Sequence, residues 1–264
     1  MNILIRELKV NGKSLLFWCL GIFLMIAGGM AKYSAGNLSG QSMNDLMSKM
    51  PKMFQTLFGI GTFDLSKASG FYGVLCMYIV LIAVIHAALL GATIISKEER
   101  DKTSEFLYAK PITRRQIITQ KIGASLIIIL VVNLVSFLSS LSLVGMYAKG
   151  ELVLPFILAT TIGLFFLQLF FLSLGLVLSA LYKNPKLPPA LASGWLVFLF
   201  FLYKLSDMHL SLNFLKYGTP FAYFDASQIM TWGLNLYAMI LFGLLIVLMV
   251  IITNVWYQKK DLLI

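Results

Sequence analysis

The run FYGVLCMYIVLIAVIHAALLGATII (71–95), then KEERDKTSEFLYAKPITRRQIITQK (97–121), then IGASLIIILVVNLVSFLSSLSLVGMY (122–147) decides the fold. The outer two runs contain no Asp, Glu, Lys or Arg. At 1.5 Å per residue each is long enough to cross a hydrocarbon core about 30 Å thick. Residues 96–121 hold 11 of the 32 charged side chains in a chain that is 59% hydrophobic and 12% charged. Two membrane spans joined by one dense polar island is the pattern this predicts.

The same criterion extends outward from that core. Further spans are expected at about 15–31, 152–182, 187–205 and 232–257, which makes six in total. The run at 152–182 exceeds the membrane thickness and must tilt, bend or protrude. All seven prolines fall in loops or near span ends, so no span needs a central kink. A mean hydropathy of +0.87 is too high for a soluble domain, where about a quarter of residues are charged. The chain therefore reads as an all-α integral membrane protein, a single domain over 1–264.

Within 1–13, Met1, Leu4, Ile5 and Leu8 fall on one helical face and Asn2, Arg6, Lys9 and Lys13 on the other. That division predicts an interfacial helix ahead of the first span. The opening segment also has the outline of a signal peptide, but an uncleaved first span satisfies an even-span topology. With six spans, both termini, the island and the turn at 183–186 lie on one side. That side carries 14 of the 21 Lys and Arg residues. The positive-inside rule makes it the cytoplasm. Topology thus accounts for the net charge of +10 without a nucleic-acid partner.

Enzyme chemistry finds little support. No Asp or Glu lies within a span, which removes the usual parts of proton relays and cation sites. Cys19 and Cys76 sit apart inside spans, and His209 has no second ligand nearby, so neither cofactor nor metal is expected in this chain. Gly12-Lys13-Ser14 resembles the end of a phosphate-binding loop, but Glu7 stands where that motif needs glycine. Asn133, Gln168 and His86 are polar side chains inside spans. They either join helices or line a substrate path. A methionine stripe over 43–58 reads as an amphipathic cap on the outer ends of the spans, or as a surface that adapts to an apolar substrate.

The island has its own grammar. Thr113 and Gln116 form the T-x-x-Q capping box, flanked by Ile112 and Ile117 in the positions of a hydrophobic staple. A helix is therefore expected to start at Arg114, and Pro111 ends the short helix before it. Arg114 and Arg115 oppose the macrodipole in that first turn. Anionic lipid headgroups or an acidic partner surface are expected to compensate them.

This segment resembles the cytoplasmic loop of ABC-2 type transporter permeases, whose pattern is E-x-x-x-G-T-x-E-F-L-L-A-K-P-I-S-R-R-x-I. Glu98, Thr103, Glu105, Phe106, Leu107, Ala109, Lys110, Pro111, Ile112, Arg114, Arg115 and Ile117 match it. Lys102 stands where the family prefers glycine, and Tyr108 and Thr113 replace Leu and Ser. The stretches MPKMFQTLFGIGTFDLSKASGFYG (50–73) and LKYGTPFAYFD (215–225) are similar to the same family, especially its sodium-export and peptide-antibiotic or modulin-export branches.

The resemblance implies a non-catalytic permease that pairs with a second permease, identical or homologous. Separate ABC ATPase subunits would supply ATP and Mg. It further implies that Thr103–Lys110 is a coupling helix docked on the ATPase. Phe106 and Leu107 would be its anchors, Glu98, Glu105, Arg114 and Arg115 its charged rim, with Ser104, Tyr108, Lys110 and Pro111 in the same contact. Export of an amphipathic peptide or other apolar substrate is the expected function. Sodium export, or a scaffold or sensor that recruits a cytoplasmic partner, are the alternatives.

Overall fold

The structure, a computed structural model, describes residues 3–38, 44, 51, 54–55, 59, 63–102, 112–208 and 210–260. Among these, every regular element is helical. Six helices are long and apolar enough to cross a membrane. They are α1 (Ile3–Leu38), α2 (Ala68–Ile94), α4 (Arg114–Gly145), α5 (Leu154–Leu181), α6 (Leu187–Met208) and α9 (Leu236–Lys259). Short elements join them: α3 (Lys97–Arg100), a 3-10 helix (Leu210–Gly218), α7 (Pro220–Tyr223) and α8 (Ala226–Trp232).

The expected spans each fall on one of the six helices, and the differences lie at the ends. The clearest is at the N-terminus. The separate interfacial helix expected over 1–13 is absent as a distinct element, because α1 continues unbroken through Lys13 into the span. Ile3 and Glu7, the latter 0% exposed, are buried against neighbouring helices rather than laid on a surface. Packing against α4 holds this stretch in line with the rest of α1. The methionine stripe over 43–58 lies mostly outside the described residues, as do Thr103–Pro111 and His209.

Lipid tails are as apolar as leucine, so association of spans depends on close packing and polar ties rather than on hydrophobic exclusion. The tightest packing joins α2 to α5. A Cβ on Gly91 would lie 2.2 Å from the Leu172 carbonyl oxygen, and one on Gly175 would lie 2.6 Å from both the Ala88 oxygen and the Ala92 nitrogen. The two glycines thus let the backbones meet where any side chain would hold them apart. Around this pair, α1 packs on α4 and α9 on α5, while α6 contacts α2 and α5. The outward faces of α1, α6 and α9 expose Phe17, Phe23, Trp195, Phe198, Leu244 and Leu248, the surface expected against lipid.

At the end where α2 begins, Lys67 makes no side-chain cap. Instead Glu151, from the turn between α4 and α5, accepts from the backbone N–H groups of Ala68 and Ser69, both at 3.1 Å. Lys149 (φ 42°) and Gly150 (φ 91°) turn the chain sharply so that Glu151 can reach back. A carboxylate across the positive end of a helix satisfies two of its four orphan donors and offsets the dipole.

Candidate functional site

At the opposite end, the start of α1, the end of α2, the start of α4, and the last turns of α5 and α9 converge on the flanks of the charged island. Local sequence sets the entry to α4. Thr113 caps it as expected: its hydroxyl accepts from Gln116 N–H at 3.3 Å, and Thr113 N–H donates to Gln116 Oε1 at 3.1 Å. Ile112 and Ile117 pack together, joined by Ile3 of α1. One backbone donor in the first turn of α1 is satisfied from the same place, with Leu4 N–H donating to Gln120 Oε1 at 3.3 Å.

The geometry then brings together charges that are far apart in sequence. Glu98, only 5% exposed, accepts from Arg6 at 2.6 Å and from Lys121. Lys121 is 0% exposed, and also donates to the Ile94 carbonyl that ends α2. Glu7 pairs with Lys97, and lies 3.2 Å from Arg6. Glu99 pairs with Lys260 at 3.0 Å, and Lys260 also donates to the Ser179 carbonyl of α5 at 3.1 Å. Three carboxylates and four cations thus form a clamp across α1, α3, α4, α5 and the end of α9.

Burying an ion is costly unless partners and hydrogen bonds replace the water it loses. Lys121 has both a carboxylate and a carbonyl. Glu98, expected at a charged rim, is inside the clamp, so it ties helices together instead of facing outward. Arg114 departs from expectation in a related way. Its guanidinium donates to the Lys260 carbonyl at 2.8 Å and the Gln258 carbonyl at 3.3 Å. The negative end of α9 therefore offsets the charge that opposes the dipole of α4. Arg115 is exposed.

Lys102 closes α3 with φ 54°. Its N–H donates to the Glu99 carbonyl at 3.4 Å, and Asp101 N–H to the Lys97 carbonyl at 2.8 Å. This is the left-handed position just past a helix end, which glycine adopts without steric cost. Lysine occupies it here, at the very position where the resembling loop pattern has glycine. From Thr103 to Pro111, and so for Ser104, Glu105, Phe106, Leu107, Tyr108 and Lys110, the expected coupling helix lies outside the described residues.

The polar side chains within the spans come together only in part. Asn133 of α4 donates to Gln168 of α5, which donates to the Ala83 carbonyl of α2 at 3.4 Å. This tie crosses three helices and is buried. His86 stands apart, its ring 5.3 Å from that of Trp18 on α1. Of the two readings open for these residues, the contacts of Asn133 and Gln168 are those of a helix-joining pair.

Sequence reasoning missed Glu7 and Lys121 as clamp members. Glu7 is the one carboxylate in the first 44 residues, set in a basic helix, and that isolation was the available signal. Lys121 gave none, since a lysine before a span ordinarily reaches water. Glu151 could have been suspected from the uncapped start of α2.

The six apolar helices agree with what the family comparison finds. Among curated proteins, none matches the chain. A family profile described as "ABC-2 family transporter protein" matches residues 1–262, almost the full length. The chain belongs to the ABC-2 family of transporter proteins, as a multi-pass membrane permease component of an ABC transporter.

Proposed function

We propose that this permease forms one half of the membrane path of an ATP-driven exporter, paired with a second permease and driven by separate ATPase subunits through residues 103–110. The observation that carries this reading is the clamp. It fastens both flanks of the island, Lys97–Glu99 before it and Arg114–Lys121 after it, to α1, α5 and α9. A displacement delivered to the intervening segment is then passed to several spans at once. A slack loop would absorb it.

In this reading the charged end is cytoplasmic, ATP and Mg are held by the ATPase, and Phe106 and Leu107 anchor the contact. Exposed Arg115 meets anionic headgroups or an acidic surface of the ATPase. The substrate is an amphipathic peptide or another apolar molecule. The lack of carboxylates in the apolar middle of the spans supports this over sodium.

Co-purification with the ABC ATPase of the same cell tests the coupling. Phe106→Glu with Leu107→Glu is expected to release the ATPase while the permease stays folded. Intact assembly and intact stimulation of ATP hydrolysis would refute the coupling role. Comparing stimulation by an amphipathic peptide with stimulation by sodium chloride over choline chloride tests the substrate class. A response to sodium alone would favour the ion-export branch.

A further inference from the structure

At the end opposite the clamp, two adjacent cavities lie among α2, α5, α6 and the segment 216–228, with Gln55, Gly59 and Phe63 also lining the outer one. The outer one, about 310 Å³, is bordered by Lys204, Asp207, Lys216, Asp225 and Gln228. This is the lower end of the size range of small-ligand sites. The inner one is narrower and is walled by Tyr72, Phe200, Phe221 and Phe224. Met77, Tyr203 and Asp225 border both, so the chambers share a neck.

The neck is built rather than accidental. Asp225 caps α8 by accepting from Ser227 N–H at 3.0 Å, and its other oxygen accepts from the Tyr203 hydroxyl at 2.7 Å. Lys204 is buried, 4% exposed, with its ammonium 4.9 Å from the Tyr203 ring centre. Lys216 and Asp207 pair across the rim at 3.1 Å. The mouth therefore offers two cations and two carboxylates, no net charge, and both donors and acceptors. Such a lining does not select a simple anion or a bare cation. It matches a group that both donates and accepts, such as a peptide backbone, while the aromatic chamber, about 40 Å³, takes only the tip of an apolar side chain.

We propose that this two-chamber cavity binds the exported molecule within a single permease subunit: an amphipathic peptide whose backbone lies in the mouth and whose apolar side chain enters past Met77. The proposal rests on the peptide-export reading above and gives it a location.

The test uses the permease–ATPase complex in lipid nanodiscs and a 20-residue leucine–lysine amphipathic peptide with benzophenone on one apolar residue. Illumination is expected to give an adduct on Met77 or within 221–228 that unlabelled peptide competes away. Lys204→Met, which keeps the stem and removes the ammonium, is expected to raise the peptide concentration for half-maximal ATPase stimulation about tenfold. Met77→Trp, which plugs the neck without touching a charge, is expected to abolish the competable adduct at 221–228.

If the peptide stimulates hydrolysis yet its adducts lie only on the lipid-facing sides of α1, α6 and α9, and Lys204→Met leaves the response unchanged, the cavity proposal is overturned and peptide export stands. If the peptide neither stimulates hydrolysis nor cross-links above background, both fall.

Discussion

Replacing Glu98 with glutamine gives the sharpest test of the clamp. The change preserves shape but leaves Lys121, fully buried, without its paired carboxylate, held by the Ile94 carbonyl and the more distant charge of Glu7. Breaking a buried ion pair by removing one partner costs about 3–5 kcal/mol, because the other charge stays desolvated. The Arg6 contact adds less, since its side chain is 27% exposed and water screens it. Taking about 3 kcal/mol for Glu98→Gln, the unfolding midpoint falls by roughly 6–12 °C, scaled from soluble domains of similar length. Adding Lys121→Met removes the stranded cation. The double variant is then expected to recover most of the loss, with a coupling of about 2–3 kcal/mol between the two sites.

The assay is thermal unfolding in detergent, read by a thiol-reactive fluorophore. Buried Cys76 reports when the bundle opens. A drop under about 2 °C for Glu98→Gln would refute the clamp's energetic role. So would a double variant no more stable than the single one, because coupled burial requires that the two losses not add.

Four further outcomes follow from the packing. Gly175→Ala is expected to lower the unfolding midpoint strongly, by the equivalent of at least about 3 kcal/mol, since its Cβ would collide with α2 backbone. Gly243→Ala, with open space around it, is expected to be neutral or slightly stabilising. Glu151→Ala is expected to cost about 1 kcal/mol, visible as faster hydrogen exchange in the first turn of α2 with little change in α9. Lys102→Gly is expected to stabilise the end of α3 by up to about 1 kcal/mol, read as slower exchange over 97–102. Faster exchange there would contradict the left-handed assignment.

Much of this protein is written locally. The spans follow from runs of apolar residues long enough for a membrane. The start of α4 follows from Thr113, Gln116, Ile112 and Ile117, all within six residues of one another. Even the gathering of the island with both ends of the chain follows from an even number of spans. These features need only near neighbours or a count, so a sequence reveals them.

Tertiary structure decided what distant residues do to one another. Glu98 became a buried hub only when packing brought Arg6, 92 residues away, and Lys121, 23 residues away, to its two oxygens. Arg114 lost its apparent need for an outside anion only because α9 ends 144 to 146 residues later beside it. The continuity of α1 past Lys13, the Glu151 cap, the Gly91–Gly175 approach and the cavity at Met77 and Tyr203 arose in the same way. Each depends on which helix faces are pressed together. Hydropathy marks a span as apolar on every side, and so leaves that choice to the packing of the whole bundle.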